Sequence, residues 1–439
     1  MSFIYVHLSD IHFGQEDDGQ VVVNDDVKDQ ILIDVQGFLS ELPGKRATGI
    51  IISGDIAYAG KAEEYEKAGL WLDRLTAASG CERTAVQLVP GNHDVDLTEI
   101  SYGSQMMIEE VFKNGDVALD KFLSKEIDRE MLYQKFSAYR IFAEAYNCPL
   151  ETDGSISGHR RVEILPGKFL AFTGLNTSLL CSKSKEEEGN LLLGKRQRVI
   201  RQQENTEQIV IAHHPLHWLK DSDDALLYLK NRARVFISGH EHKPGHNFEP
   251  INDVKGLLSI SSGAAAPPNV SDEYTYCYNI LEFSWNQHSG KLIVNIHPRI
   301  WNNQDKSFVD DQVNFKSDKC IFELECPNFK IEHSVNKVAE GHPVGIKKPD
   351  EQIEESYFEE IMLEDEEQTL LLKFFRELSS TQRLLVLVEM KILPEKLNIP
   401  ITHTIESKAL RSLFKDGKAD ELNEKINSIL STKLDKSHE

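Results

Sequence analysis

No apolar stretch in this 439-residue chain approaches the roughly 20 residues that cross a bilayer. Its start, "MSFIYVHLSD", lacks a positively charged lead, and the apolar run ends by Ser9 and Asp10. Neither a membrane span nor a secretory leader is expected. Cysteine is scarce: the six residues Cys81, Cys148, Cys181, Cys277, Cys320 and Cys326 form no CxxC pair and no zinc-ribbon spacing. That pattern points to reduced thiols in a cytoplasmic protein rather than to disulfides. Positive charge is in deficit as well. The formal net charge of −22 opposes broad attraction to nucleic acid or anionic lipid, though it leaves room for a local basic groove. Internal repeats are absent. What remains, 40% hydrophobic and 27% charged residues, describes a globular chain long enough for two or three domains.

Up to about residue 325 the chain alternates. "FIYVHLSD", "TGIIISGD" and "TAVQLVPGNHD" are short apolar runs that end in polar residues, as buried strands feeding loops do. Between them lie a helical stretch with Val27, Ile31, Val35, Phe38 and Leu42 at helical spacing, capped by Asn24 or Asp25, and a second helix in "KAEEYEKAGLWLDRLTAA". Strand, helix, strand, helix, strand is the order of a parallel sheet with helical crossovers. Residues 95–160 interrupt it with helical patterns such as "REMLYQKFSAYRIFAEAY", an insertion or cap. Strands return in "KFLAFTGLNT", "QIVIAHHP" and "ARVFISGHEH". Then "TYCYNILEFSW" and "KLIVNIHPRIW" flank the turn "NQHSG", a hairpin that suggests a second sheet completing a sandwich.

The strand ends carry the chemistry. In order they present Asp10 and His12, Asp55, Asn92-His93-Asp94, His213-His214, then His240 and His242. In an open α/β sheet the carboxyl ends of the strands converge on one crevice, where ligands bind. Carboxylate, imidazole and amide oxygen together suit borderline divalent metals such as manganese, iron, zinc or nickel. Seven such groups exceed one metal and fit two if a carboxylate bridges, and two metals about 3.5–4 Å apart clamp a phosphoryl displacement. Taken singly, the pieces are weak. D-x-H after a strand is mostly chance or a cap, and "GD" is usually a turn. Their ordered recurrence at five strand ends is what carries weight.

That ordered set, "SDIH", "SGD", "GNHD", "HHP" and "GHEH", resembles the calcineurin-like metallophosphoesterases across roughly residues 1–325. The resemblance implies an α/β fold, a sandwich of two mixed sheets flanked by helices. It implies that Asp10, His12 and His242 hold one metal and that Asn92, His213 and His240 hold the other, with Asp55 bridging. Manganese is the expected pair, with iron, zinc or nickel as alternatives, and a metal-activated water would attack phosphorus. His93 would donate a proton or hydrogen bond to the substrate, and Asp94 would accept from its other ring nitrogen and fix its tautomer. Position two before a proline selects His213 over His214, which becomes a second layer or a substrate contact. His7, His217 and His246 read as core, surface or loop histidines, and Glu241 as facing solvent or the cleft.

Substrate class is less legible. "GKRQRVIRQ" offers Lys195, Arg196, Arg198 and Arg201 to a phosphate backbone, but without interleaved aromatics it reads first as a solvated helix face with Val199 and Ile200 turned inward. "HHPL" beside "GHEH" looks more like the bacterial phosphodiesterase branch than like protein phosphatases, so a nucleotide or nucleic-acid phosphodiester is the expected substrate. Residues 326–350, with Pro, Gly and Lys and no periodicity, read as a linker. Beyond it, 351–439 hold a run of nine acidic and no basic residues from Glu351 to Glu367, then helical stripes in which Ser379 or Ser380 caps a helix that Pro394 ends. This small all-α part resembles the helical adaptor domains fused to effectors of bacterial conflict systems. It would recruit a protein partner or self-associate, or else pack on the catalytic part. A non-catalytic scaffold acting through its tail is the rival function, and such a chain would be expected to have lost a ligand or the proton donor.

Overall fold

In the computed structural model, which describes residues 2–15, 21–150, 153–182, 188–250, 256–267, 275–315, 320–329, 363–394 and 401–435, every apolar run named above forms a strand. β1 (Ser2–Leu8), α1 (Val21–Glu41), β2 (Gly49–Ile52), α2 (Ala62–Ser79) and β3 (Val86–Leu88) make a right-ordered parallel trio, β1 beside β2 and β2 beside β3. The insertion follows as α3 (Tyr102–Asn114), α4 (Asp116–Leu123), α5 (Glu126–Tyr133) and α6 (Ser137–Ala145). β4 (His159–Leu165), β5 (Lys168–Gly174), the single turn α7 (Lys195–Arg198), β6 (Thr206–Ile211), α8 (Ser222–Arg232) and β7 (Ala233–Ser238) come next. The strands β8 (Pro244–Pro250), β9 (Gly256–Ser262), β10 (Cys277–Asn286), β11 (Lys291–Asn302), β12 (Ser307–Asp310) and β13 (Ile321–Leu324) complete the part built on sheets.

Two mixed sheets result. One runs β12-β11-β10-β1-β2-β3 with β13 on β11, and the other runs β4-β5-β6-β7-β9-β8. Alternation along each strand sorts side chains between two cores. Tyr5, Ile51, Val89, Phe172, Ile209, Ile237 and Phe283 meet between the sheets, whereas Val6, Leu8, Ile50 and Ile52 face the helices of the first sheet. Each such aliphatic or aromatic side chain contributes about 1.5–3 kcal/mol when buried.

Three expectations need correction. The hairpin β10–β11 does not found a sheet of its own. β10 pairs antiparallel with β1, Ser2 opposite Ser284, and so extends the first sheet. Asn24 does not cap α1, which already begins at Val21; Asn24 is buried and its Oδ1 accepts from the Tyr276 hydroxyl at 3.0 Å. The basic run is not an open helix face either. Arg198 is 8% exposed and pairs with Asp116 (2.8 Å) and Asp221 (2.6 Å), Lys195 pairs with Asp120 at 2.9 Å, and Val199 points outward.

The C-terminal helices are α9 (Asp365–Leu372), continued by a π-helical turn over Lys373–Glu377, α10 (Ser380–Glu389), α11 (His403–Lys415) and α12 (Ala419–Asp435). Ser379 caps α10, its hydroxyl accepting from the Gln382 amide. Residues 330–350 of the expected linker and 351–362 of the acidic run lie outside the described residues. These helices pack on the sheet-containing part. Leu370, Leu371, Phe374 and Phe375 share one core with Tyr65 of α2 and with Phe142 and Tyr146. Arg376 donates to both Asp73 oxygens (2.8 and 3.1 Å) and to the Tyr146 hydroxyl (2.9 Å), lying against Gly69, where a Cβ would come within 2.6 Å of its Nη2. Buried Glu144 of α6 receives Arg411 Nε at 3.0 Å. Among the described residues no helix is long and apolar enough to cross a membrane.

Candidate metal centre

The loops leaving β1, β2, β3, β6 and β7 meet at one edge of the sandwich, so the crevice is fed by both sheets and not by one. To aim their side chains there, Asp10, His12, Asp55, His240 and His242 adopt left-handed backbone, with φ between 52° and 71°. Such conformations cost about 1 kcal/mol or more each and persist where the surroundings over-determine them. Two glycines make room. A Cβ on Gly91 would lie 2.0 Å from Asp55 Oδ1, and one on Gly54 would lie 2.4 Å from His213 Nδ1.

Asp55 sits at the centre, 1% exposed. Its Oδ1 accepts from the His93 backbone amide at 2.8 Å, and its Oδ2 faces His12 Nε2 at 3.3 Å and His213 Nε2 at 3.4 Å. On one side of it Asp10, His12 and His242 bring ligand atoms within 4.8 Å of one another, with His242 Nε2 3.2 Å from Asp10 Oδ1. On the other, Asn92 Oδ1 lies 2.9 Å from His213 Nε2 and 3.1 Å from His240 Nδ1. Asp10, Asp55 and His213 form a further group at the same spacing. All seven candidate ligands are thus brought together in two sets that share Asp55.

The set fits a pair of divalent cations. His12 Nδ1–H donates to the Ala266 carbonyl (3.1 Å) and His213 Nδ1–H to the Ser53 carbonyl (2.9 Å), which orients both Nε2 atoms toward Asp55. Charge balance points the same way. Burial disfavours a charged imidazole at His213, yet the Asp55 charge and hydrogen bond push it up to about 10. Burial also pushes Asp10 up, but the hydrogen bond and charge of His242, helped by His213, hold it well below the usual carboxylate range. The buried carboxylates therefore draw positive charge into the crevice.

His93 is half-buried, with Nδ1–H donating to the Tyr58 carbonyl at 2.7 Å and its ring stacked on Tyr58 at 5.2 Å. It also meets the His12 ring at 4.8 Å and groups with His12 and Asp55. Asp94 does not play the part expected of it. It turns away from His93 to accept from the amides of Gly91 (2.9 Å), Ala57 (3.0 Å) and Ile56 (3.3 Å) and from the Tyr65 hydroxyl (2.9 Å). Burial first, then the Asp55 charge, raises Asp94 to about 6. It ties two ligand loops together, and a backbone carbonyl fixes the His93 tautomer instead.

His214 is fully buried; Nδ1 meets Thr177 Oγ1 at 2.8 Å and the ring packs on His240 at 4.3 Å. Its atoms also group with those of His213 and His240. His7 is buried on Ser53, its imidazole pushed down to about 3 by burial, and His246 stacks on Phe315. His217 is exposed and pairs with Glu241 at 3.0 Å. Sequence reasoning missed Tyr58, Tyr65, Thr177 and Trp218, whose ring lies 4.2 Å from His240. Of these, Tyr58, three residues after Asp55, and Trp218, three residues after Pro215, stood close enough to a motif to be noticed.

The family described as calcineurin-like phosphoesterase matches residues 4–244, and the one described as GTPase-associated adaptor domain matches residues 366–428. The chain is similar to the uncharacterized metallophosphoesterase-like protein YydB of Bacillus subtilis, 24% identical over 381 residues that cover 83% of this chain and 71% of that one. Among solved structures it is similar to purple acid phosphatase PPD1 from yellow lupin (13% identity, TM-score 0.38, 79% of this chain and 57% of that one). Another is a mutant of Vps29 from Entamoeba histolytica (12% identity, TM-score 0.30, 74% of this chain and 100% of that one).

Proposed function

The chain belongs to the calcineurin-like phosphoesterase family and carries a GTPase-associated adaptor domain at its C-terminal end, and on that premise we propose that it hydrolyses phosphodiester bonds with two divalent metals, manganese by preference. The observation that carries the reading is the buried Asp55 carboxylate, whose Oδ2 lies 3.3 and 3.4 Å from the Nε2 atoms of His12 and His213 and so stands between the two candidate ligand sets. When bound, such a pair lowers the pKa of water and neutralises the phosphoryl oxygens. Asp10, His12 and His242 would hold one ion, and Asn92, His213 and His240 the other.

The rest is the work of the chain's own groups. Because the Tyr58 carbonyl only accepts, it keeps the proton on His93 Nδ1 and leaves Nε2 to carry the second proton toward the departing oxygen. Stacking on Tyr58 fixes the plane of that ring. Asp94 and Tyr65 clamp the loop at 55–57 to Gly91, so the bridging carboxylate and His93 keep their separation. Every candidate ligand and His93 is retained, which removes the motive for a scaffold reading. The adaptor domain supports a role as an effector in a bacterial conflict system, answering to a GTPase partner, and a nucleotide or nucleic-acid ester is the substrate class we propose.

The test is a screen of the full chain, metal-free and loaded with manganese, against bis(p-nitrophenyl) phosphate, cyclic nucleotides, single-stranded DNA and RNA. Manganese-dependent turnover of the aryl ester and of at least one nucleotide substrate is expected. No turnover of any of them with manganese, iron, zinc or nickel would overturn the proposal.

A further inference from the structure

A cleft of about 570 Å³ opens beside the metal centre, on the outer face of the second sheet between α8 and β8. Its walls include the two loops that carry ligands: Pro215 to His217 follow His213, and Glu241 stands between His240 and His242 with its side chain in the cleft wall. Buried Phe236 floors it with Leu216 and Leu226 beside it, an apolar bed of the kind that takes the face of a ring. Around that bed stand the hydroxyls of Ser222, Ser238, Ser259 and Ser261 and the Asn247 amide.

The rim argues about charge. Asp223, Glu241 and Glu249 line the cleft, and Lys243 is the lysine among its lining residues, which include no arginine. The nearby cation Lys230 is engaged with Glu249 at 2.7 Å, and the His217 ring lies against Glu241 at 3.0 Å. A phosphate placed here would meet more carboxylate than cation and no planar fork to grip it. An uncharged group with a flat ring and several hydroxyls would find both its surfaces met.

We propose that this cleft is a specificity subsite that holds the organic group retained on phosphorus, a neutral nucleoside, while the leaving group departs past His93. The assignment to substrate rests on the phosphodiesterase reading above. Two esters with one leaving group separate the contribution of the cleft: methyl p-nitrophenyl phosphate and thymidine p-nitrophenyl phosphate. With the metal-loaded full chain, KM for the thymidine ester is expected to be lower by about tenfold or more. Ser259→Phe, which fills the floor from β9, should erase that preference while kcat/KM for the methyl ester stays within about twofold. Leu226→Trp fills the same space from α8 and serves if the first variant does not fold.

Calorimetric titration of the metal-free full chain with thymidine and with adenosine gives a readout independent of turnover. Binding by the native chain and its loss in either filled variant is the expected result. If neither ester is hydrolysed but nucleoside binding is lost on filling, the phosphodiesterase reading fails and the subsite stands. Equal KM values for the two esters, or a preference and binding that survive filling, overturn the subsite.

Discussion

Replacing Arg411 with methionine tests how firmly the adaptor helices grip the catalytic part. Glu144 of α6 is 3% exposed at its side chain, receives Arg411 Nε at 3.0 Å, and has His403 Nε2 at 3.7 Å. Burial alone would raise this carboxyl, but the Arg411 charge and hydrogen bond, with the His403 imidazole beside it, lower it from 4.5 to about 2. At about 1.4 kcal/mol per tenfold change in proton affinity, that lowering is worth about 3 kcal/mol of stability. Because the folded-state value is depressed, the stabilisation is complete above pH 4.5 and disappears as pH falls through 2. Arg411→Met strands a buried carboxylate, so urea unfolding at pH 7 should show a loss of about 3 kcal/mol. The gap to the native chain should close toward pH 2, where Glu144 takes up a proton in either chain. Adding Glu144→Leu to the variant should recover most of the loss at neutral pH, since the pair is then replaced by apolar contact. A gap under about 1 kcal/mol at pH 7, or one that does not change with pH, would refute the clamp, because that is the value of a solvent-exposed pair.

Further outcomes follow from the site. Asp55→Ala removes the oxygen shared by both ligand sets, so metal content and activity should fall together; two full equivalents of metal by elemental analysis would contradict its bridging role. His93→Ala should keep near-normal metal content while kcat drops by about 10²–10⁴-fold, less for a leaving group that needs no proton; metal loss as deep as in Asp55→Ala would make His93 a ligand instead. Ending the chain near Lys347 strips the cover from Tyr65, Phe142 and Tyr146, so the shortened chain should lose melting temperature and activity together. An unchanged melting curve and rate would show that the adaptor helices rest on the catalytic part without supporting it.

The sequence was most readable where a chemical residue ends a strand. Asp10, Asp55, Asn92, His213 and His240 each come within three residues of the end of an apolar run, so position along the chain nearly equals position in the crevice. It was least readable where a partner is a backbone atom. Nothing in the letters shows that the Tyr58 carbonyl holds His93, and adjacency made Asp94 the natural but wrong candidate. Sheet membership was also hidden. The alternating burial of β11 says that it has two unlike faces, not which sheet it joins, and the first sheet gained β10 and β11 through pairing with β1. β8, "PGHNFEP", has a proline at each end and reads as a loop; it survives as an edge strand, where a missing amide is tolerated. The stripes of the tail announced that something must cover them, and α2 and α6 do so. Their identity depended on Gly69 and Asp73, whose letters carry no such signal.

The left-handed backbone at Asp10, His12, Asp55, His240 and His242 sets this protein's course under selection. At roughly 1 kcal/mol apiece, these residues together withhold about 5 kcal/mol, a large share of the 5–15 kcal/mol that keeps a typical domain folded. Glycine would release that free energy at any of the five, and each release deletes a candidate ligand. A lineage bred for heat resistance alone would therefore improve fastest by dismantling its own active site. A lineage kept for its chemistry must instead find its stability elsewhere in the molecule.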